Sequence, residues 1–74
     1  MKMTPRQFRE RYNIALSTES KLKVEGRVVF ERSGKYIVYD STVTDALALA
    51  GKLGNKAYIA VSNILASDAT EEHF

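Results

Sequence analysis

Hydrophobic and polar residues alternate between Lys21 and Ser41, and this alternation is the strongest structural signal along the chain. Its valine, phenylalanine, isoleucine and tyrosine residues are typical of strands, and Ser33–Gly34 between the two halves is typical of a turn. The pattern therefore predicts a β-hairpin over residues 21–41. The other predicted elements are placed relative to this hairpin.

The register of the hairpin has two alternatives. A two-residue loop at Ser33–Gly34 would place Arg32 opposite Lys35, a like-charge pair that lowers stability. A three-residue loop ending at Gly34, with that glycine at positive φ, places Glu31 opposite Lys35 and is preferred. In the preferred register the side chains facing the core are Val28, Phe30, Tyr36 and Val38. Those facing outward are Arg27, Val29, Ile37 and Tyr39.

Two helices are predicted beside the hairpin. Thr4–Pro5 is typical of a helix start, and Phe8 and Tyr12 share one face of the short helix that follows. Asn13 is a plausible end for it. A second helix is predicted over residues 43–53, where a broad apolar stripe begins after a capping-box-like sequence and ends in a glycine cap.

The segment 57–65 is compatible with either a strand or a helix. Its β-branched residues favour a strand, whereas Tyr58, Val61 and Leu65 would share one face of a helix. With a strand there, the order is α-β-β-α-β and the last strand lies parallel to the second. We therefore expect one α+β domain over residues 1–66, with a three-stranded sheet and helices mainly on one face. Residues 67–74 are expected to form a flexible acidic tail.

The size of the chain limits what the fold can enclose. A chain of 74 residues buries only about 60% of its unfolded surface, so we expect function on a face or an edge. There is no cysteine, which excludes disulfides and thiolate metal sites and fits a reducing compartment. The apolar runs are too short for a membrane span, and the first residues lack a signal-peptide core. We therefore expect a cytoplasmic protein.

Residue types suited to catalysis are scarce. The single histidine, His73, is the penultimate residue, and no Ser–His or Cys–His pair or metal-ligand cluster is indicated. Asp45 is explained as an acid near the start of the second helix, where a carboxylate offsets the helix dipole. We therefore expect no enzymatic activity, no cofactor and no small-molecule substrate.

Gly51-Lys52-Leu53-Gly54 matches the G-x-x-G pattern of a KH-domain loop, which binds a nucleic-acid backbone. A KH loop joins two helices, whereas a strand is expected after this segment. Two glycines also suit the end of a helix, where a left-handed cap is common. The cap is the preferred interpretation.

Charge is divided unevenly along the chain, although its net charge is only +2. Residues 1–36 contain nine basic and four acidic residues, a net charge of +5, and residues 37–74 contain two and five, a net charge of −3. The basic half suggests an anionic partner, although ordinary solubilising charge explains it equally well. The residues expected to bind a partner are Arg6, Arg9, Arg11, Arg27, Lys35 and Tyr39.

Two kinds of partner fit these residues. An open sheet face with Tyr39 beside Arg27 could stack bases and contact phosphates, as RNA-recognition sheets do. A protein interface explains the same residues at least as well, because tyrosine and arginine are enriched in interfaces. For the three arginines of the first helix, solvated side chains are the alternative to a docking role.

In size, lack of cysteine and compact layout, the chain resembles small phage-encoded proteins that bind a bacterial host machine. The segments FRERYNIAL, RVVFERSGKYIVYD and DALALAGKLGNKAYIAVSNIL give this likeness. It is similar in kind to phage proteins that bind RNA polymerase and alter initiation or termination. The resemblance implies a regulator or inhibitor that binds a host protein complex. A small RNA- or DNA-binding module, using the basic N-terminal half and the open sheet face, is the alternative.

Overall fold

The computed structural model describes the backbone of residues 1–72 and the side chains of residues 1–67. In chain order its elements are β1 (Lys2–Met3), α1 (Pro5–Tyr12), α2 (Leu16–Val24), β2 (Glu31–Ser33), β3 (Tyr36–Asp40), α3 (Ser41–Leu49) and α4 (Asn55–Glu72). β3 is the central strand and is antiparallel to both β1 and β2. The predicted α+β class and three-stranded sheet are confirmed, although the third strand is not the predicted one.

Capping residues define the two ends of α1, and both ends were predicted correctly from the sequence. The Thr4 hydroxyl accepts a hydrogen bond from the Gln7 backbone N–H, and the Gln7 side chain accepts one from the Thr4 N–H. These two bonds form a capping box, with Pro5 at the first helical position. Asn13 ends the helix in the left-handed conformation at φ 53°.

Residues 16–24 form the helix α2, where the sequence predicted a connector and the start of a hairpin strand. Its buried residues, Glu19 and Leu22, lie three apart and therefore share a helix face. One of these two is charged, so the helix has no apolar stripe that a hydrophobic pattern would reveal. Val24, predicted to face the core, is exposed.

The β2–β3 hairpin is shorter than predicted and both predicted registers are wrong. Ser33 pairs with Tyr36, which leaves Gly34–Lys35 as a two-residue loop. Gly34 has φ +64°, the left-handed conformation that such a loop requires at its first position. Because side chains alternate along a strand, the shift reverses the faces of β3. Tyr39 is fully buried, and Tyr36 is 75% exposed.

The predicted strand over residues 57–65 and its parallel crossover are also wrong, because α4 is one continuous helix. Ala57 and Val61 are fully buried and lie one helical turn apart, where α4 packs against α1 and α3. This packing outweighs the strand preference of the β-branched residues. The helix continues to Glu72, so residues 67–72 are helical rather than irregular. The flexibility of residues 67–74 stays a prediction, and His73 lies outside the described residues.

Helix α3 starts two residues before the predicted helix and ends earlier. Asp40 is its N-cap, and its Oδ1 accepts hydrogen bonds from the N–H groups of Thr42 and Val43. These bonds hold the pKa of Asp40 below its ordinary value. Asp45 is not used as a capping residue, and the prediction that it serves the helix start is wrong. Its carboxylate instead points toward α1.

The core lies on one face of the sheet, between β3 and the helices. The Tyr39 ring stacks on Phe8, with centroids 4.1 Å apart and planes within 15°. Phe8 also contacts Tyr12 at 5.3 Å. The pairing registers place the other side chains on the opposite, outer face of the sheet, and all of them are exposed or half-buried: Lys2, Glu31, Ser33, Tyr36, Val38 and Asp40.

Candidate functional site

Two of the residues predicted to bind a partner form an internal cluster with Glu19. This carboxylate is 2% exposed and accepts hydrogen bonds from Arg9 Nη1 at 2.7 Å and from Tyr39 Oη at 2.6 Å. Burial and the bond to Glu19 raise the pKa of Tyr39 well above its ordinary value. The predicted placement of Tyr39 on an exposed outer face is therefore wrong, and Arg9 is an internal ion-pair partner.

Asp45 is the centre of a second cluster of the same composition. Its carboxylate accepts two hydrogen bonds from Arg11, at 3.0 and 2.8 Å, and one from Tyr12 Oη at 2.5 Å. Burial alone would raise the pKa of Asp45, but the bonds from Arg11 and Tyr12 outweigh it and hold that pKa below its ordinary value. Arg11 is thus also engaged inside the fold, where the sequence predicted a solvent-facing side chain.

The two clusters fasten α1 to its neighbours. Each contains one carboxylate, one arginine from α1 and one tyrosine hydroxyl, so the charge and the polar atoms of the carboxylate are matched. Among the described side chains no buried polar atom lacks a hydrogen-bond partner. The partners in the clusters are 10 to 34 residues apart in sequence. No local spacing in the sequence could have indicated these contacts.

Three of the six predicted residues remain available at the surface. The side chain of Arg6 is 84% exposed and forms an ion pair with Glu10 at 3.1 Å, one turn away on the same helix. Arg27 is exposed and forms an ion pair with Glu25 at 3.2 Å. Lys35 is exposed in the hairpin loop.

The outer face of the sheet differs from the predicted combination of aromatic and basic residues. Lys2 lies on it with its Nζ 2.8 Å from Glu31 and 3.8 Å from Asp40. The face therefore has one positive and two negative side chains, which does not suit a phosphate backbone. Its large exposed aromatic residue is Tyr36, near the hairpin loop.

Ion pairing divides the basic residues into two groups. Every carboxylate with a described side chain takes part in an ion pair: Glu10, Glu19, Glu25, Glu31, Asp40 and Asp45. In the same part of the chain, six basic residues have no such pair: Lys21, Lys23, Arg32, Lys35, Lys52 and Lys56. Excess positive charge is thus located on α2, on the hairpin and around the α3–α4 turn. An anionic partner would be attracted to these regions.

The first candidate site is the hairpin surface, which we define as Arg32, Lys35 and Tyr36. These residues flank the turn at Gly34, and Tyr36 is the most exposed aromatic side chain among the described residues. β2 is an edge strand whose three residues are all exposed. An edge strand presents unpaired backbone N–H and C=O groups to a partner.

The second candidate site is the turn between α3 and α4, which contains the Gly51-Lys52-Leu53-Gly54 segment. The prediction that a strand follows this segment is wrong, because it joins two helices. Gly51 has φ +80° and Gly54 has φ +94°. Ala50 is the C-cap of α3, so Gly51 is the left-handed residue immediately after it. Lys52 between the glycines is exposed.

Comparisons with protein-family models, with curated proteins and with solved structures found no match to this chain. Within residues 1–72, no helix combines the length and apolar character needed to cross a membrane. No group of three histidine, aspartate or glutamate side chains that could hold a metal ion occurs among the described side chains. The candidate sites are therefore defined by the exposed residues of this chain alone.

Proposed function

We propose that this protein is a non-enzymatic regulator that binds a protein complex through the hairpin surface. The supporting observation is the 75% exposure of Tyr36 next to Lys35, at a hairpin end that also carries Arg32 on the opposite face. Neither basic residue has an ion pair among the described residues. Tyrosine and arginine are the residue types that most often anchor interfaces. A tyrosine exposed to water can pack its ring against a partner and hydrogen-bond through its hydroxyl.

The chemistry of the hairpin surface indicates the chemistry of the partner. Two unpaired positive charges favour a partner with acidic residues, and Tyr36 favours a neighbouring apolar pocket. The free edge of β2 could in addition pair with an extended segment of the partner. Bacterial RNA polymerase is the candidate complex, because the chain resembles phage proteins that bind it.

The first helix has a smaller part in this proposal than the sequence indicated. Arg9 and Arg11 are bonded to Glu19 and Asp45, and less than a third of each side chain is exposed, so they present less surface to a partner than Arg6 does. Arg6 is the one arginine of α1 that projects into solvent. The hairpin therefore replaces the helix as the main docking element.

Direct binding to purified bacterial RNA polymerase tests the proposal. The Tyr36→Ser, Lys35→Gln double variant should fold like the wild type, because both side chains are exposed, but bind the polymerase at least about tenfold more weakly. Arg6→Gln is the matched control, because it removes an exposed charge away from the hairpin, and it should bind like the wild type. A promoter-directed transcription assay should show altered RNA yield with the wild type and with Arg6→Gln, and a weaker effect with the hairpin double variant.

The proposal fails if the wild type does not bind nuclease-treated polymerase and does not alter transcription in the promoter-directed assay. It fails in its choice of surface if the folded hairpin variant binds as tightly as the wild type. Far-ultraviolet circular dichroism and thermal melting of each variant establish that the fold is intact. These measurements separate a lost contact from a lost structure.

A further inference from the structure

Three grooves follow one another around the turn between α3 and α4. The first has a volume of about 500 Å³ and lies beside Arg27 and Lys52. The second, of about 400 Å³, shares Gly51 with the first, and the third, of about 230 Å³, shares Gly54 with the second. The shared glycines place the three grooves next to one another, and we call them together the turn track. The residues of the turn track are Arg27, Gly51, Lys52, Gly54, Lys56 and Tyr58.

Positive charge predominates along the turn track. Lys52 lies beside the first groove and Lys56 beside the third, and neither forms an ion pair in the described structure. Arg27 binds Glu25 through Nε, which leaves its terminal amino groups available for a second anion. Among the residues with described side chains, Glu25 is the only acid that lines the three grooves. Three basic residues against one acid make the track complementary to a polyanion.

An exposed aromatic ring lies in the middle of the track. Tyr58 is 45% exposed and borders the second groove, between the groove of Lys52 and the groove of Lys56. A Cβ added at Gly51 or Gly54 would meet no atom within 4 Å, so the backbone there is open to a close approach. Proteins that bind single strands combine basic grooves with aromatic rings on which bases stack. A duplex conceals its base faces, so the ring favours a single strand.

We propose that the turn track binds a single strand of nucleic acid, with Arg27, Lys52 and Lys56 at its phosphates and Tyr58 stacked on a base. The predicted nucleic-acid interface used the basic N-terminal half and the sheet face; this one uses the α3–α4 turn and Arg27. It includes no residue of the hairpin surface. The inference therefore goes beyond the proposed protein-binding function, and either one can fail alone.

Fluorescence anisotropy with labelled oligouridine and oligothymidine tests the proposal on the full chain. Each neutralised phosphate of a single strand contributes about −0.7 to the slope of log affinity against log salt, so three contacts predict a slope of about −2. Lys52→Gln should make the slope about 0.7 less steep. Tyr58→Leu should weaken binding by about tenfold and leave the slope unchanged, because stacking releases no counterion. Leucine keeps apolar volume at this helix position.

Lys35→Gln is the matched control, because it removes the same charge from the hairpin instead of the track. It should leave both affinity and slope unchanged. No binding to either oligonucleotide at low salt would overturn the proposal. So would equal losses in Lys35→Gln and Lys52→Gln, which would indicate attraction by the overall charge alone. The proposal would also be overturned if Tyr58→Leu had no effect and either of two results were found. One is that inorganic polyphosphate binds as tightly as the oligonucleotides, and the other is that a duplex binds more tightly than they do.

Discussion

Tyr39 donates its hydroxyl hydrogen to Glu19 across 2.6 Å, although the two residues are 20 positions apart in sequence. This bond joins the central strand to α2, and the same carboxylate binds Arg9 of α1. Three elements thus meet at one buried charge. A buried carboxylate is stable only when its partners are in place, so the cluster should fix the relative positions of these elements.

The bond between Tyr39 and Glu19 leads to the first prediction. Tyr39→Phe keeps the stacking on Phe8 but leaves one oxygen of Glu19 without a donor, which should lower the free energy of unfolding by about 1–3 kcal/mol. Tyr36→Phe removes the same atom from an exposed ring and should change it by no more than about 0.5 kcal/mol. Urea denaturation of both variants measures the difference. Equal stability of the two would show that Tyr39 is not the buried tyrosine of β3.

The arginines of α1 give a second prediction. Arg9→Ala removes the charged partner of a buried carboxylate and should lower the free energy of unfolding by about 3–5 kcal/mol. Arg6→Ala breaks only an exposed pair with Glu10 and should cost no more than about 1 kcal/mol. Thermal melting distinguishes the two. Similar melting temperatures would indicate that both arginines are solvated, as the sequence pattern allowed.

The elements that were predicted correctly have local signals. Thr4, Pro5 and Asn13 define the limits of α1 through capping chemistry within one turn of each end. Helix α3 was predicted from its apolar stripe, but its true start depends on Asp40, whose side chain accepts hydrogen bonds from the N–H groups of Thr42 and Val43. Local chemistry can therefore be recognised in a single sequence even when exact boundaries cannot.

The elements that were missed depend on contacts between distant residues. Helix α2 has a buried glutamate in place of an apolar residue, and only Arg9 and Tyr39 make that burial tolerable. In the hairpin, a shift of one position exchanges the two faces of β3, so an error in loop length reversed the roles of Tyr36 and Tyr39. The partner-binding residues were then selected from the wrong face. Their roles in binding stay predictions.

Alkaline pH supplies the third prediction. Burial, followed by the bonds to Asp45 and Glu19, raises the pKa of Tyr12 and of Tyr39 above the ordinary value. The folded state thus favours the neutral phenol, and this stabilisation is complete below about pH 10, the ordinary tyrosine pKa, and is lost as the pH rises above it. The Tyr12→Phe, Tyr39→Phe double variant should lose less stability on passing from about pH 9 to about pH 11. Urea denaturation at both values checks this difference, and parallel curves would contradict it.

The pKa of Asp45 gives the fourth prediction, for acidic pH. Burial opposes ionisation of this carboxyl, but the bonds from Arg11 and Tyr12 prevail, and its pKa is lowered in the folded state. The resulting stabilisation is present above the ordinary aspartate pKa of about 3.9 and is lost as the pH falls through the lower folded value. Asp45→Asn should therefore show a smaller loss of stability between about pH 6 and about pH 3. Glu10→Gln, at an exposed position, is the control and should keep the wild-type dependence.

The last prediction concerns the packing of α4, where the sequence pattern allowed either a strand or a helix and favoured the strand. Ala57 is fully buried where α4 packs against its neighbouring helices, and a larger side chain there has no space. Ala57→Leu should therefore lower the free energy of unfolding by about 1–3 kcal/mol through overpacking. Ala46→Leu makes the same change on the exposed side of α3 and should alter stability by no more than about 0.5 kcal/mol. Thermal melting of the pair tests the helix directly. An unchanged melting temperature for Ala57→Leu would place that residue in solvent and contradict the helix packing described above.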